Sequence, residues 1–170
     1  MALPQEKFRE LTFQMLFGYD VAQAANQDEL LNLLMKELAV TKKTVILAQE
    51  KVKLIIAKLP EIDEMIASTS KSYNFERIQA VERNILRLGV YEMSFDDSIP
   101  PKVAISESIR LARKFGTPES ASFINAILDA LYKISLGETI DAEKMAKTVA
   151  ELKVSEERAH QAALESKNNE

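Results

Sequence analysis

Apolar positions recur at steps of three and four residues along most of the chain, and no stretch sustains a step of two. The first period is one face of an α-helix, whereas a half-buried strand alternates. Phe8, Leu11, Thr12, Met15, Leu16 and Tyr19 predict a first helix from Gln5 to about Ala24. Asn26 with Glu29 forms a capping-box pattern ahead of a second helix from about Gln27 to Ala39. A third runs from Thr41 through Val45, Ala48, Val52, Ile55 and Leu59 to Pro60, where proline ends it and opens a short fourth.

The stretch "VERNILRLGVYEMSF" predicts a central helix capped by Asn74. Ile78, Val81, Ile85 and Leu88 make one stripe, and Leu86, Val90 and Met93 widen it until little polar surface remains. Gly89 in such a helix suits a close crossing with a neighbour. After the linker "DDSIPPK", "VAISESIRLARKFG" predicts another helix, closed by Gly116 as a left-handed residue. "TPESASFINAILDALYKI" opens with Thr117 as cap, Pro118 at the first position and Glu119 at the positive end of the dipole, and Gly137 ends it. The fold class is therefore all-α, with about six main helices. Residues 138–165 carry only a narrow stripe, Met145, Val149 and Leu152, and read as a solvated or loosely docked helix whose removal lowers the melting temperature little.

Charge spacing adds a question about the central helix. An intrahelical ion pair needs opposite charges three or four residues apart, and Glu82, Arg83 and Arg87 all lack one. Their partners lie on another helix or on a ligand, a tertiary ion pair being the commoner case.

Composition narrows the function classes. The 170 residues suffice for one domain with a sizeable core. No cysteine is present, so disulfides, thiolate metal sites and thiol catalysis are excluded. The start "MALPQEKFRE" lacks the apolar core of a signal peptide, and no apolar run approaches the roughly 20 residues of a membrane span, so a cytoplasmic chain with no membrane partner is expected. The net charge of −4 disfavours a nucleic-acid partner in aggregate, yet residues 71–137 carry 9 basic and 8 acidic side chains and permit one. Four glycines, at 18, 89, 116 and 137, leave no phosphate-cradling loop or dinucleotide fingerprint, so no cofactor is expected. His160 stands alone beside Glu156 and Glu157 and reads as a surface residue, while Asp96-Asp97 and Glu156-Glu157 read as solvated charge. Without a nucleophile motif or a metal-ligand set, a binding module is expected and an enzyme is not.

The string "VERNILRLGVYEMS....IPPKVAISESIRLARKFGTPESASFINAILDAL", residues 81–131, resembles the NusB family of bacterial transcription antitermination factors, as does "RELTFQMLFGYD" near the start. The matches are Glu82, Leu86, Arg87, Tyr91 and Glu92, then Pro100, Lys102, Val103, Ala104, Ile105, Glu107 and Ala112, then Phe115-Gly116, Ser120, Phe123, Asn125 and Leu128. Residues 25–70 carry almost none of the resemblance, and the tail after about 137 looks like an addition.

The resemblance implies two small three-helix bundles packed together in a domain over residues 1–137, followed by a charged extension over 138–170. It implies no catalytic activity, and partnership with NusE, a ribosomal protein, in binding boxA RNA of ribosomal RNA leaders within an RNA polymerase elongation complex that contains other Nus factors. Carried over by position, the RNA surface falls on Lys7 and Arg9, on Phe17, and on Phe115, Glu119, Ser120 and Phe123, while Glu82 falls on the side that meets NusE. Core packing is the commoner role for each of the three phenylalanines taken singly. The chain departs from the family's pattern where arginines usually run, reading "LPQEKFRE", and it has Phe17 and Glu119 where Tyr and Asp are frequent. With so few cations, RNA binding by the chain alone is expected to be weak, with a salt slope of about one to three counterions, and NusE is expected to strengthen it. Two other readings remain open: a helical protein-interaction module with weak or no RNA binding, and the NusB-like accessory domain of an RNA methyltransferase.

Overall fold

A computed structural model describes residues 4–22, 27–70, 73–139 and 142–168. These form helices α1 (Gln5–Ala22), α2 (Gln27–Leu38), α3 (Lys42–Ala57), α4 (Leu59–Thr69), α5 (Ala80–Phe95), α6 (Pro101–Phe115), α7 (Pro118–Ser135) and α8 (Ala142–Asn168), with one 3-10 turn at Phe75–Arg77 and no strand among the described residues. The all-α class follows from the periodicity. The predicted Asn26–Glu29 capping box lies outside the described residues, since Asn26 is not among them.

Caps explain several boundaries. Thr41 accepts a hydrogen bond from the amide of Thr44 at the start of α3. Thr117 and Ser120 form a reciprocal capping box at the start of α7, with Pro118 in the first turn. Gly137, expected to end α7, does so and adopts a left-handed φ of +77°. Ala39, which ends α2, takes φ +49° without glycine's freedom, and no residue type in the sequence signals this turn.

Two local expectations change. Asn74 caps the short 3-10 turn instead of the central helix, its side chain accepting from the amide of Glu76, and α5 starts only at Ala80. Gly116 is extended, with φ −118° and ψ −151°, so it is not a left-handed cap. Its reason is space: an added Cβ would stand 2.9 Å from the Ala112 carbonyl oxygen and 3.0 Å from Ser120 Cβ, where α6 turns into α7.

Helix α5 is the hub, packing against α1, α3, α4, α6 and α7. Helices α1, α2 and α3 pack on one another, as do α5, α6 and α7, and α4 lies against α5 and α7. These are the two three-helix groups, joined where α1 packs on α5 and pairs with α6 and where α3 meets α5. At Gly89 helix α5 lies close to α6 and α7, for a Cβ there would lie 2.5 Å from Ser108 Oγ and 3.1 Å from Leu128 Cδ1. Helix α8 differs from its expectation. Met145, Val149 and Leu152 join the core against α7, Leu152 being only 1% exposed, so its first half is an integral element and only the second half is broadly solvated.

Candidate nucleic-acid interface

The unpaired charges of α5 find partners on other helices. Arg83 donates from Nη2 to Asp20 Oδ2 of α1 at 2.6 Å, and Asn84 Nδ2 donates to the same oxygen at 2.9 Å. Arg87 grips Asp63 of α4 through Nε and Nη2, each at 2.8 Å, and reaches Asp20 at 3.3 Å. Burial pushes the Asp20 carboxyl up, but the bonds from Arg83 and Asn84 and the charge of Arg87 outweigh it and hold the group below its ordinary range. These arginines therefore bind α1 and α4 to the hub.

At the start of α1, Lys7 is exposed and Arg9 is not. Arg9, 6% exposed, donates from Nε to Glu92 at 2.9 Å and lies 3.7 Å from Glu107. Its guanidinium is thus turned into the α1–α5–α6 junction. The neighbouring Glu10 accepts from Lys114 and Arg110 of α6, both at 2.8 Å. Burial opposes ionisation of Glu10, and these two cations more than offset it, leaving its pKa lowered.

Three aromatic rings step across the adjoining surface. Phe13, in the core, lies 6.1 Å from Phe17 and 5.0 Å from Phe115 between ring centroids, and the outer two are half-buried. Lys114 Nζ sits 5.7 Å from the centroid of Phe115. Of the three phenylalanines that the resemblance assigns to the RNA surface, Phe17 and Phe115 are linked through Phe13, and Phe123 lies apart in the core. Between α6 and α7 a groove of about 440 Å³ is lined by Ile109, Arg113, Pro118, Ala121, Ser122 and Asn125, with Arg113 exposed on its rim.

The start of α7 holds the remaining candidates, and there burial decides what each does. Ser120 is 0% exposed, and its hydroxyl donates to Glu82 Oε1 while accepting from the Thr117 amide at 3.2 Å. Glu82, 4% exposed, has its second oxygen, Oε2, buried without a hydrogen-bond partner among the described residues. Phe123 is fully buried, 5.8 Å from the ring of Tyr73. Neither Glu82, Ser120 nor Phe123 offers surface to a partner in this conformation. Glu119 is half-buried; its own backbone amide first, then Ser155 Oγ of α8 donating at 3.1 Å, hold its pKa below the ordinary value.

Sequence reasoning missed Tyr73, Ser155 and Glu156. Glu156 reads as solvated charge from its neighbour Glu157, yet Tyr73 Oη lies 3.0 Å from its Oε2 and its Oε1 is buried without a partner among the described residues. A closer look at helical spacing signals this much: Glu156 lies four residues after the buried Leu152 and so shares its face. Burial, reinforced by the nearby charge of Glu82, raises the Glu156 pKa.

Among the described residues no group of three or more His, Cys, Asp or Glu side chains is placed to hold a metal ion, and no helix is long and apolar enough to cross a membrane. The polar clusters hold helices to one another, while the half-buried rings of Phe17 and Phe115 flank Phe13 and a groove with Arg113 on its rim lies between α6 and α7. This defines a rigid all-helical module built for binding. A family model described as the NusB family matches residues 6–133, and the chain belongs to that family. The transcription antitermination protein NusB of Chlamydia pneumoniae is 39% identical over 129 residues, 76% of this chain and 80% of its own length. That of Desulforudis audaxviator is 36% identical over 126 residues, 74% of this chain and 91% of its own. T. maritima NusB matches with a TM-score of 0.66 at 31% identity, covering 85% of this chain and 98% of that one. A chain in a crystal structure of antitermination factors NusB and NusE with double-stranded RNA matches with a TM-score of 0.63 at 29% identity, over 76% of this chain and 96% of its own. Helix α8 begins beyond the matched residues.

Proposed function

We propose that this chain is a transcription antitermination factor that binds boxA-type RNA together with NusE during transcription of ribosomal RNA operons, acting in the cytoplasm within an RNA polymerase elongation complex that includes other Nus factors. The observation that carries the reading is family membership over residues 6–133, supported by similarity to a chain from a complex of NusB, NusE and RNA. The role is binding and not catalysis.

Within this reading Lys7 neutralises phosphate, and the exposed parts of the Phe17 and Phe115 rings stack against unpaired bases. Glu119 stands in the first turn of α7. Arg9, Ser120 and Phe123 act from the interior, Arg9 by fixing α1 against α5 and α6 and the other two by fixing the start of α7. Glu82 is the proposed NusE-side residue, reached only if its surroundings rearrange. One observation favours the second reading, an interaction module with weak RNA binding: the lone arginine of the N-terminal arm is consumed in an internal ion pair.

Titration of boxA RNA and a scrambled sequence, with and without NusE, tests the proposal. Weak binding alone and selective, tighter binding with NusE is the expected result. Equal affinity of the NusE complex for both sequences would replace RNA recognition with the interaction-module reading.

A further inference from the structure

The residues that define the buried end of α7 are covered by a helix outside the family-matched region. Ser155 of α8 donates to Glu119, Glu156 meets Tyr73, and Lys153 Nζ lies 5.1 Å from the centroid of the Tyr73 ring that itself packs on Phe123. We propose that the Ser155–Glu156 segment of α8 is an autoinhibitory contact, seated over the RNA-facing end of α7 and displaced when RNA engages that end. This inference rests on the proposed RNA-binding function and adds its regulation.

Two observations show a contact assembled to be broken. First, the carboxylates of Glu82 and Glu156 each keep one buried oxygen without a hydrogen-bond partner among the described residues, a cost that undocking of the segment would relieve through hydration. Second, the proton count at Tyr73 is short. Its single hydroxyl proton faces both the Arg77 carbonyl oxygen at 3.1 Å and Glu156 Oε2 at 3.0 Å. Tyr73 Oη is the donor to both, so one proton is shared between two acceptors and each bond is weaker than a dedicated one. Burial and the charge of Glu82 on α5 raise the Glu156 pKa, while the hydrogen bond from Tyr73 and the charge of Lys153 on α8 lower it. The buried charge of Glu156 facing that of Glu82 therefore opposes the seat. By contrast Met145, Val149 and Leu152 anchor the first half of α8 in the core, so release is confined to the segment beyond them.

Apparent affinity falls in proportion to the open fraction, so variants that shift the seat shift RNA binding. Glu156→Gln removes the charge facing Glu82, holds α8 down and is expected to weaken binding of boxA RNA with NusE by about three- to tenfold. Ser155→Glu sets a carboxylate against Glu119, loosens the seat and is expected to tighten binding by a similar factor. Direct repulsion of phosphate by these carboxylates gives the reverse order, so reversed or unchanged affinities overturn the inference. If either variant fails to fold, amide hydrogen exchange of the full wild-type chain decides: RNA with NusE is expected to speed exchange over residues 153–160, and unchanged or slower exchange overturns it. A wild-type chain that does not distinguish boxA from scrambled RNA defeats the proposed function itself, and the inference falls with it.

Discussion

Replacing Arg9 by alanine separates a phosphate-binding arginine from a structural one. In the folded chain Arg9 meets Glu92, a carboxylate whose side chain is 2% exposed and whose other cation is Lys51 at 3.5 Å. Removing the arginine strands that charge. Truncating one partner of a buried pair costs about 3 to 5 kcal/mol, and Lys51, which still faces Glu92, brings the expected loss to about 2 to 3 kcal/mol. For a domain of this size that is a fall in Tm of about 5 to 12 °C. Adding Glu92→Gln to the Arg9→Ala chain removes the stranded charge and is expected to restore much of the loss, because the amide costs less to bury than a carboxylate. Urea unfolding of the three chains measures this, and RNA titration against salt measures the alternative. A guanidinium on a phosphate contributes about 0.7 to 0.9 to the salt slope, whereas one enclosed by Glu92 and Glu107 contributes almost nothing. An unchanged unfolding midpoint together with a slope reduced by about one would refute the reasoning and return Arg9 to the RNA surface.

Other substitutions probe the packing. Gly89→Ala drives a Cβ into Ser108 Oγ, which is held by its bond to the Ala104 carbonyl, and is expected to cost about 1 to 3 kcal/mol in denaturant unfolding, with Ser108→Ala relieving most of it. Phe123→Ala empties a fully buried site beside Tyr73 and is expected to cost about 3 to 5 kcal/mol, so its RNA affinity is compared only at temperatures where both chains are folded. A chain ending at Gly137 loses the burial of Met145, Val149 and Leu152, each worth about 1.5 to 3 kcal/mol, and is expected to melt at a clearly lower temperature, contrary to the expectation from the narrow stripe alone. Glu10 and Asp20 have folded pKa values below their ordinary 4.5 and 3.8, so their contribution is complete above those values and lost as pH falls through the lower folded ones. Glu156 has the opposite sign: its raised pKa adds stability below 4.5 that is lost as pH rises through the folded value, and Glu156→Gln is expected to abolish that component in unfolding measured from about pH 3 to 7.

Much of the fold was legible along the chain because its causes are local. A period of three to four residues, the Thr117-Pro118 start, Pro60 and Gly137 act over a single turn of backbone, and each marks an element the structure contains. Periodicity also showed that the middle helix is wrapped on nearly all sides, and its charge spacing showed that Arg83 and Arg87 must look beyond their own helix. What it lacked was the address. Asp20 is 63 residues from Arg83, and Glu92 is 83 from Arg9. Which carboxylate meets which arginine depends on how helices cross, and no local pattern encodes that. The same limit applies to the candidate site. Lys7, Phe17, Phe115 and Glu119 keep exposed atoms, but Arg9, Ser120, Phe123 and Glu82 are withdrawn by partners on other helices. Helix α8 shows the limit most plainly. Its three apolar residues are too few to advertise a core face, yet α7 offers them a complementary surface, and burial depends on both surfaces meeting. Sequence by itself determined where the helices are; tertiary structure decided which of their polar residues remain free to bind, because long-range packing sets the solvation and pairing of every charge.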